Sequence, residues 1–349
     1  MGTPAWKGGA MSLPERKVAE YRGVDARSFG EEIASLYRPA VLRGAVAHWP
    51  ALREAATIDG ALAYLARFDG GAMAEAFVGP PEIAGRFFYR DDMSGFNFGR
   101  RKGPFRDLVR YIAALAGEAP EDPTLYVGAA AVPEVLPGFD RDNPMTLPGP
   151  DGAVARIWIG NRTEVSTHFD LSHNLACVVA GRRRFILFPP EQLANLYVGP
   201  LDHTMAGQPA SMVAVHAPDF ERFPRFREAL AAAEVAELEP GDAIYVPALW
   251  WHHVDAMSPF NILINYWWEP QPADAGSPFE ALVHAILSIR ALPEPQREAW
   301  RTMFDHYVFR GGEEGLAHLA PEHRGILGRP TPELRRRIRD FLMRGLGRG

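Results

Sequence analysis

The chain has 349 residues, 47% of them hydrophobic and 23% charged, with a formal net charge of −6 at pH 7. That content excludes a disordered protein and allows about two domains, or one large β fold with helical additions. A single cysteine, Cys177, excludes a disulfide scaffold and a multi-cysteine zinc site.

The acidic balance gives no global footprint for nucleic acid, and no apolar run approaches the roughly 18 residues of a membrane span. The stretch Met1 to Ala10 carries no apolar signal core, and Trp6 stands where a myristoylation site wants Ser or Thr. A cytoplasmic protein is therefore expected. Only Lys7, Lys17 and Lys102 among 37 basic residues are lysine, so an Arg here can occupy a place where another chain would carry Lys.

In chain order, the first helix expected is 29–37, with Ser28 as N-cap and Glu31 and Glu32 in its first turn. Pro39 ends it, and 40–44 reads as a strand. Residues 58–68 and 105–116 have helical apolar spacing. From 125 to 268 strand signals dominate, at 125–127, 156–159, 174–180, 184–188, 212–215, 243–246 and 261–268. Gly181, Pro189-Pro190, Pro240-Gly241 and Pro247 punctuate them, and 224–234 reads as a helical insert. Short strands so punctuated suggest a sandwich or jelly roll. Beyond Pro270 the spacing turns helical, over 278–291, 295–309 and 332–346, each with Pro at or near its start.

The segment Thr163-Glu164-Val165-Ser166-Thr167-His168-Phe169-Asp170 carries the chemistry. In a strand, residues two apart share a face, so His168 and Asp170 project together. Pro240-Gly241-Asp242 then feeds a strand leading to Trp250-Trp251-His252-His253. Two histidines and one carboxylate on one side of a metal leave open positions, which suits ferrous iron. Cys177, Asp91-Asp92, Glu313-Glu314, Phe87-Phe88-Tyr89 and Arg335-Arg336-Arg337 read as core or solvated residues.

At these residues the chain resembles the JmjC-type, cupin-fold oxygenases, in particular the branch that contains the asparaginyl hydroxylase repressing hypoxia-inducible factor and bacterial cupin-like relatives. The resemblance runs from about Val41 to Trp268. It is densest over 163–190 and 240–268, and includes Val41-Leu42-Arg43-Gly44 with His48-Trp49-Pro50. It implies a double-stranded β-helix core (125–270), an N-terminal α/β region packing on that core (1–124), and a C-terminal helical region (271–349) that pairs two copies. It also implies an Fe(II)- and 2-oxoglutarate-dependent dioxygenase, consuming O2 and hydroxylating a C–H bond of a protein side chain or small molecule. Succinate and CO2 would be the coproducts.

Carried over by position, His168, Asp170 and His252 are the implied iron ligands, with His253 on the other face. Arg183, where the family has Lys, and Tyr126 would take the far carboxylate of 2-oxoglutarate. Asn174 and Asn265 would line its pocket and Trp267 would form an aromatic wall. Val165 replaces the family's frequent Thr three residues before the first ligand, so one cosubstrate hydrogen bond is missing. Strand alternation places Arg183 on one face with Phe185 and Leu187, and Arg182 and Arg184 on the other. Two alternatives stay open at this level: a metal-binding cupin without 2-oxoglutarate chemistry, such as an isomerase, another dioxygenase or a sensor, and a catalytically silent dimeric scaffold.

Overall fold

The computed structural model describes residues 14–117, 119, 121–147, 153–205, 207–310 and 316–347. It divides the chain into two compact units, Met1–Glu269 and Pro270–Gly349. The sequence expectations for Met1 to Ala10 and for Glu313-Glu314 lie outside the described residues.

The strands, in order, are β1 (Ala19–Arg22), β2 (Ala40–Arg43), β3 (Met73–Gly79), β4 (Arg86–Phe87), β5 (Gly99–Pro104), β6 (Thr124–Ala131) and β7 (Ala155–Gly160). Then follow β8 (Thr163–His168), β9 (His173–Ala180), β10 (Arg183–Phe188), β11 (Glu234–Leu238), β12 (Ala243–Val246), β13 (Trp251–Ala256) and β14 (Asn261–Trp268). Among the described residues they form a major sheet ordered β1-β2-β12-β9-β14-β7-β6-β3-β5 and a minor sheet ordered β11-β10-β13-β8-β4. The four-strand runs β12-β9-β14-β7 and β11-β10-β13-β8 are antiparallel throughout and face each other as a jelly roll. Residues 14–117 cover this core with helices and also extend both sheets, through β1, β2, β3 and β5 in the major sheet and β4 in the minor one.

Three apolar clusters follow from strand alternation. One lies between the sheets, with Val41, Val178, Phe185, Leu187, Ile244 and Trp250. The second packs the outer face of the major sheet under N-terminal helices, through Trp49, Tyr64, Phe105, Ile112 and Phe139 among others. The third covers the outer face of the minor sheet with Phe226 and Ala229 from the helix Phe226–Ala232. A strand whose two faces are both buried reads as a continuous apolar run, which is how β9 and β14 appear in the sequence.

Several local expectations are corrected. The first helix starts at Ala26, because Asp25 rather than Ser28 is its N-cap. Asp25 Oδ1 accepts the Ser28 N–H at 2.8 Å while Ser28 Oγ accepts the Asp25 N–H at 3.0 Å. Residues 212–215 are not a strand. Val213 and Val215 are buried in an irregular segment, anchored by isolated bridges of Ala210 and Ser211 to His168 and Val198. The helix expected at 295–309 runs over Glu294–Phe304 and ends in a wider turn, Asp305–Phe309. Strands β3 and β5 carry no strong strand pattern: β5 reads Gly-Arg-Arg-Lys-Gly-Pro and is almost wholly exposed, held by pairing with β3.

In the C-terminal unit the helices Pro278–Ile289, Glu294–Phe304 and Pro332–Leu346 contain no buried residue. Within it, Arg335 Nε donates to Asp274 Oδ1 at 2.8 Å, while Arg336 and Arg337 are exposed. No helix among the described residues is long and apolar enough to cross a membrane.

Candidate metal centre and cosubstrate cavity

β13 carries His252 and β8 ends at His168, and the two are direct cross-strand partners. Their rings lie 4.3 Å apart between centroids. Asp170 is not on the strand as expected: β8 stops at His168, and Asp170 sits in the loop before β9. Its position is held through the backbone, because Leu249 N–H donates to Asp170 O at 2.8 Å. Leu249 adopts a left-handed φ of 63°, a conformation costly for a branched residue and retained here in the turn that launches β13. The loop and the histidine strand are thereby tied together.

The donor atoms of His168, Asp170 and His252 all lie within 4.8 Å of one another, with His252 Nε2 3.7 Å from Asp170 Oδ2. Each histidine has Nδ1 on a backbone carbonyl, His168 on Ser166 O at 2.9 Å and His252 on Trp250 O at 3.0 Å. Since a carbonyl only accepts, both Nδ1 atoms carry the proton and both Nε2 atoms are bare ligands. Burial, with the neighbouring His252, pushes His168 down to about 4, so the imidazole is neutral at pH 7 as metal ligation requires. This donor set fits a two-histidine, one-carboxylate ferrous centre.

Asp170 is oriented by a directional chain. Trp158 Nε1, which can only donate, gives its proton to Asn265 Oδ1 at 2.8 Å. Asn265 Nδ2 then donates to Asn174 Oδ1 at 3.2 Å, and Asn174 Nδ2 to Asp170 Oδ2 at 3.2 Å. Trp267 Nε1 donates to the same oxygen at 3.2 Å. The indole at one end fixes both amide orientations, and the chain delivers only donors to Asp170, which suits its ionised form. Sequence reading placed Asn174, Asn265 and Trp267 at the pocket and missed Trp158. Its signal was present in Arg156-Ile157-Trp158-Ile159, where alternation sets the indole opposite the buried isoleucines.

These residues open into a cavity of about 540 Å³ between the sheets, also lined by Tyr126, Arg183, Val165, Phe185, Val254 and Leu263. Val165 and His168, three apart, both face it because a bulge in β8 resets the alternation, Val254 pairing with Val165 and His252 with His168. At Val165 the wall presents methyl groups and no hydroxyl.

Arg183 pairs with Ala256, four residues along β13 from His252, or about 13 Å at 3.3 Å per residue. Its guanidinium is buried, its Nε has no hydrogen bond, and among the described residues no carboxylate stands within ion-pair distance. Burial alone pushes it down to about 10. Arg182 and Arg184 point the other way, both onto Glu237. Tyr126 stacks on Phe77 at 4.8 Å, and burial pushes its phenol well up, so it stays a protonated donor. Cys177 is fully buried and its thiol pushed up, as a core residue.

The comparisons with known proteins agree with this geometry. Residues 26–274 match the family described as Cupin-like domain. The chain belongs to the JmjC/cupin-like family. This cupin-like chain is 33% identical to human HSPB1-associated protein 1 over 158 residues, 44% of the chain and 32% of that protein. It is 30% identical to the Lysine-specific demethylase JMJ31 of Arabidopsis thaliana over 131 residues, 37% of the chain and 23% of that protein. With tRNA wybutosine-synthesizing protein 5 of Danio rerio it shares 25% identity over 277 residues, 74% of the chain and 77% of that protein. The first two matches thus span about a third or less of the relatives' own lengths. Together the family and these relatives support the coarse class of an oxygenase-type enzyme.

Proposed function

We propose that this chain is an Fe(II)- and 2-oxoglutarate-dependent dioxygenase that hydroxylates a C–H bond of a protein side chain or small molecule. The observation that carries the reading is Arg183: a buried guanidinium with no anion beside it among the described residues, lining the same cavity as the histidine–carboxylate triad. An uncompensated buried charge costs several kcal/mol, and a dicarboxylate reaching from the triad would supply the missing partner. Iron held by His168, Asp170 and His252 would supply oxygen activation, with 2-oxoglutarate co-oxidised to succinate and CO2.

The chain's own residues do the rest. Arg183 offers a planar fork suited to gripping a carboxylate with two parallel hydrogen bonds, and Tyr126 adds a phenolic donor at the same cavity. Phe185, Val165, Val254 and Leu263 present apolar walls that exclude water. The chain from Trp158 holds the Asp170 carboxylate in one orientation. Glu75, Arg100, Thr204, Met205 and Gln208 line the same cavity and stand where a substrate side chain would enter. The net charge of −6 favours a protein or small-molecule substrate over nucleic acid. The relative named as a lysine-specific demethylase makes an N-methyl carbon one such C–H donor.

The test is anaerobic titration of iron(II)-loaded protein with 2-oxoglutarate, followed by the visible charge-transfer band of the chelate. A saturating band, lost in Asp170→Ala and requiring far more cosubstrate in Arg183→Glu, is expected. Bound iron without a band would favour a metal-binding cupin that does not use 2-oxoglutarate.

A further inference from the structure

A second set of metal-ligating side chains lies on the opposite face of the same two strands. His253 and Asp255 alternate with His252 and Val254 along β13, and Glu164 alternates with Val165 on β8, so all three point away from the cavity. The irregular segment that replaces the expected strand at 212–215 brings His216 over them. The donor atoms of Glu164, His216 and His253 lie within 4.8 Å of one another. Asp255 Oδ1 is 2.9 Å from His216 Nε2 and 3.1 Å from His253 Nε2, and Glu164 Oε1 is 3.8 Å from His253 Nε2. The two imidazoles meet nearly edge to face, with centroids 5.0 Å apart.

We propose that Glu164, His216 and His253 form a second site for a divalent cation of the zinc type, with Asp255 held against both imidazoles. Two imidazole nitrogens and one carboxylate oxygen from three separate chain segments converge there, three donors of a four-coordinate ion whose fourth position water or a shift of Asp255 would fill. Arg86 Nε stands 3.6 Å from Glu164 Oε1 and Arg184 Nη1 3.9 Å from Asp255 Oδ2. These guanidiniums partly offset the carboxylates, and the two imidazole nitrogens favour a borderline cation over calcium or magnesium. His253 is fully buried, while His216 is partly exposed and gives the ion its way in. An ion there would lock β8, β13 and the 211–217 segment behind His168 and His252, bracing both histidines from the rear.

The experiment uses chelator-stripped full-length protein and cobalt(II), whose four-coordinate complexes absorb strongly in the visible. The His168→Ala/Asp170→Ala double variant, which lacks two donors of the first centre, should still bind one equivalent with a four-coordinate spectrum. It should also melt at a higher temperature with the ion than without. Adding Glu164→Gln, which keeps the side chain's shape, should abolish that spectrum and the melting shift, and His216→Gln should do the same. Circular dichroism establishes that each variant is folded. Absence of cobalt binding in the folded double variant would overturn the site and leave a hydrogen-bonded cluster only. Binding that survives both added substitutions would overturn it equally, since the ion would then sit elsewhere.

Discussion

At the scale of single residues, the cavity is built from side chains that are each incomplete alone. Among the described residues Arg183 lacks an anion, and that leads to an unusual expectation. Replacing it with Met removes an uncompensated buried charge, so the cosubstrate-free protein should melt no lower than the parent, while 2-oxoglutarate affinity falls by roughly 100-fold or more. A large drop in melting temperature with affinity retained would show that Arg183 serves the fold. Trp158 is the counterpart on the metal side. Trp158→Phe keeps an aromatic wall but removes the donor that orients Asn265 and, through Asn174, Asp170. Iron affinity should weaken by about 10-fold or more, as for other groups that orient a ligand. Equilibrium iron binding measures this, and unchanged affinity would place the Asp170 orientation in Trp267 and the loop backbone.

At the scale of elements, turns decide where the strands deliver their ligands. Gly181, between β9 and β10, has a φ of 76°, and a Cβ there would meet Phe260 O at 2.7 Å and also Asn261 Oδ1. The turn thus combines a left-handed residue with a backbone contact that only glycine permits. Gly181→Ala should destabilise the protein by at least about 1–3 kcal/mol from backbone strain, before the clash is added. Thermal melting tests this, and a shift of less than a degree would show that the turn can relax. Asp242, in the Pro-Gly-Asp turn before β12, has a similar role. Its carboxylate accepts from Arg43 Nη1 at 2.6 Å, Gly44 N at 3.0 Å and Glu239 N at 3.1 Å, pinning β2 beside β12. Part of the motif that led sequence reading to the metal therefore does structural work.

At the scale of the whole molecule, the unit Pro270–Gly349 leaves large apolar side chains uncovered. Leu287 is 73% exposed, Phe309 74%, Phe341 67% and Met343 66%. Helices whose residues are at most half-buried gain little stability from packing of their own, and a partner on such an amphipathic face would add to it. We propose that a second copy of the chain covers it. Leu287→Glu together with Phe341→Glu should halve the mass found by light scattering at micromolar concentration. A parent protein that is already monomeric would remove the proposal.

Much of this was legible in the sequence because it depends on periodicity and on residue chemistry. β12 and β14 were readable from their apolar runs, the C-terminal helices from their spacing and prolines, and His168 with Asp170 from a short motif, while the resemblance chose His252 over His253. Alternation set Arg183 on a different face from Arg182 and Arg184, and the resemblance named that face as the inner one. What the sequence could not supply depends on contacts between distant segments. β5 is a strand only because β3 offers it hydrogen bonds, against the propensity of Gly-Arg-Arg-Lys-Gly-Pro. Asp170 reaches the metal site from a loop held by Leu249, 79 residues away in the chain. His216, on a segment with no regular structure, meets Glu164, His253 and Asp255 only once the outer face of the minor sheet has formed. Local pattern determined which residues are capable of the chemistry, and tertiary packing decided which of them meet, because pairing partners and buried charges are settled by the whole chain at once.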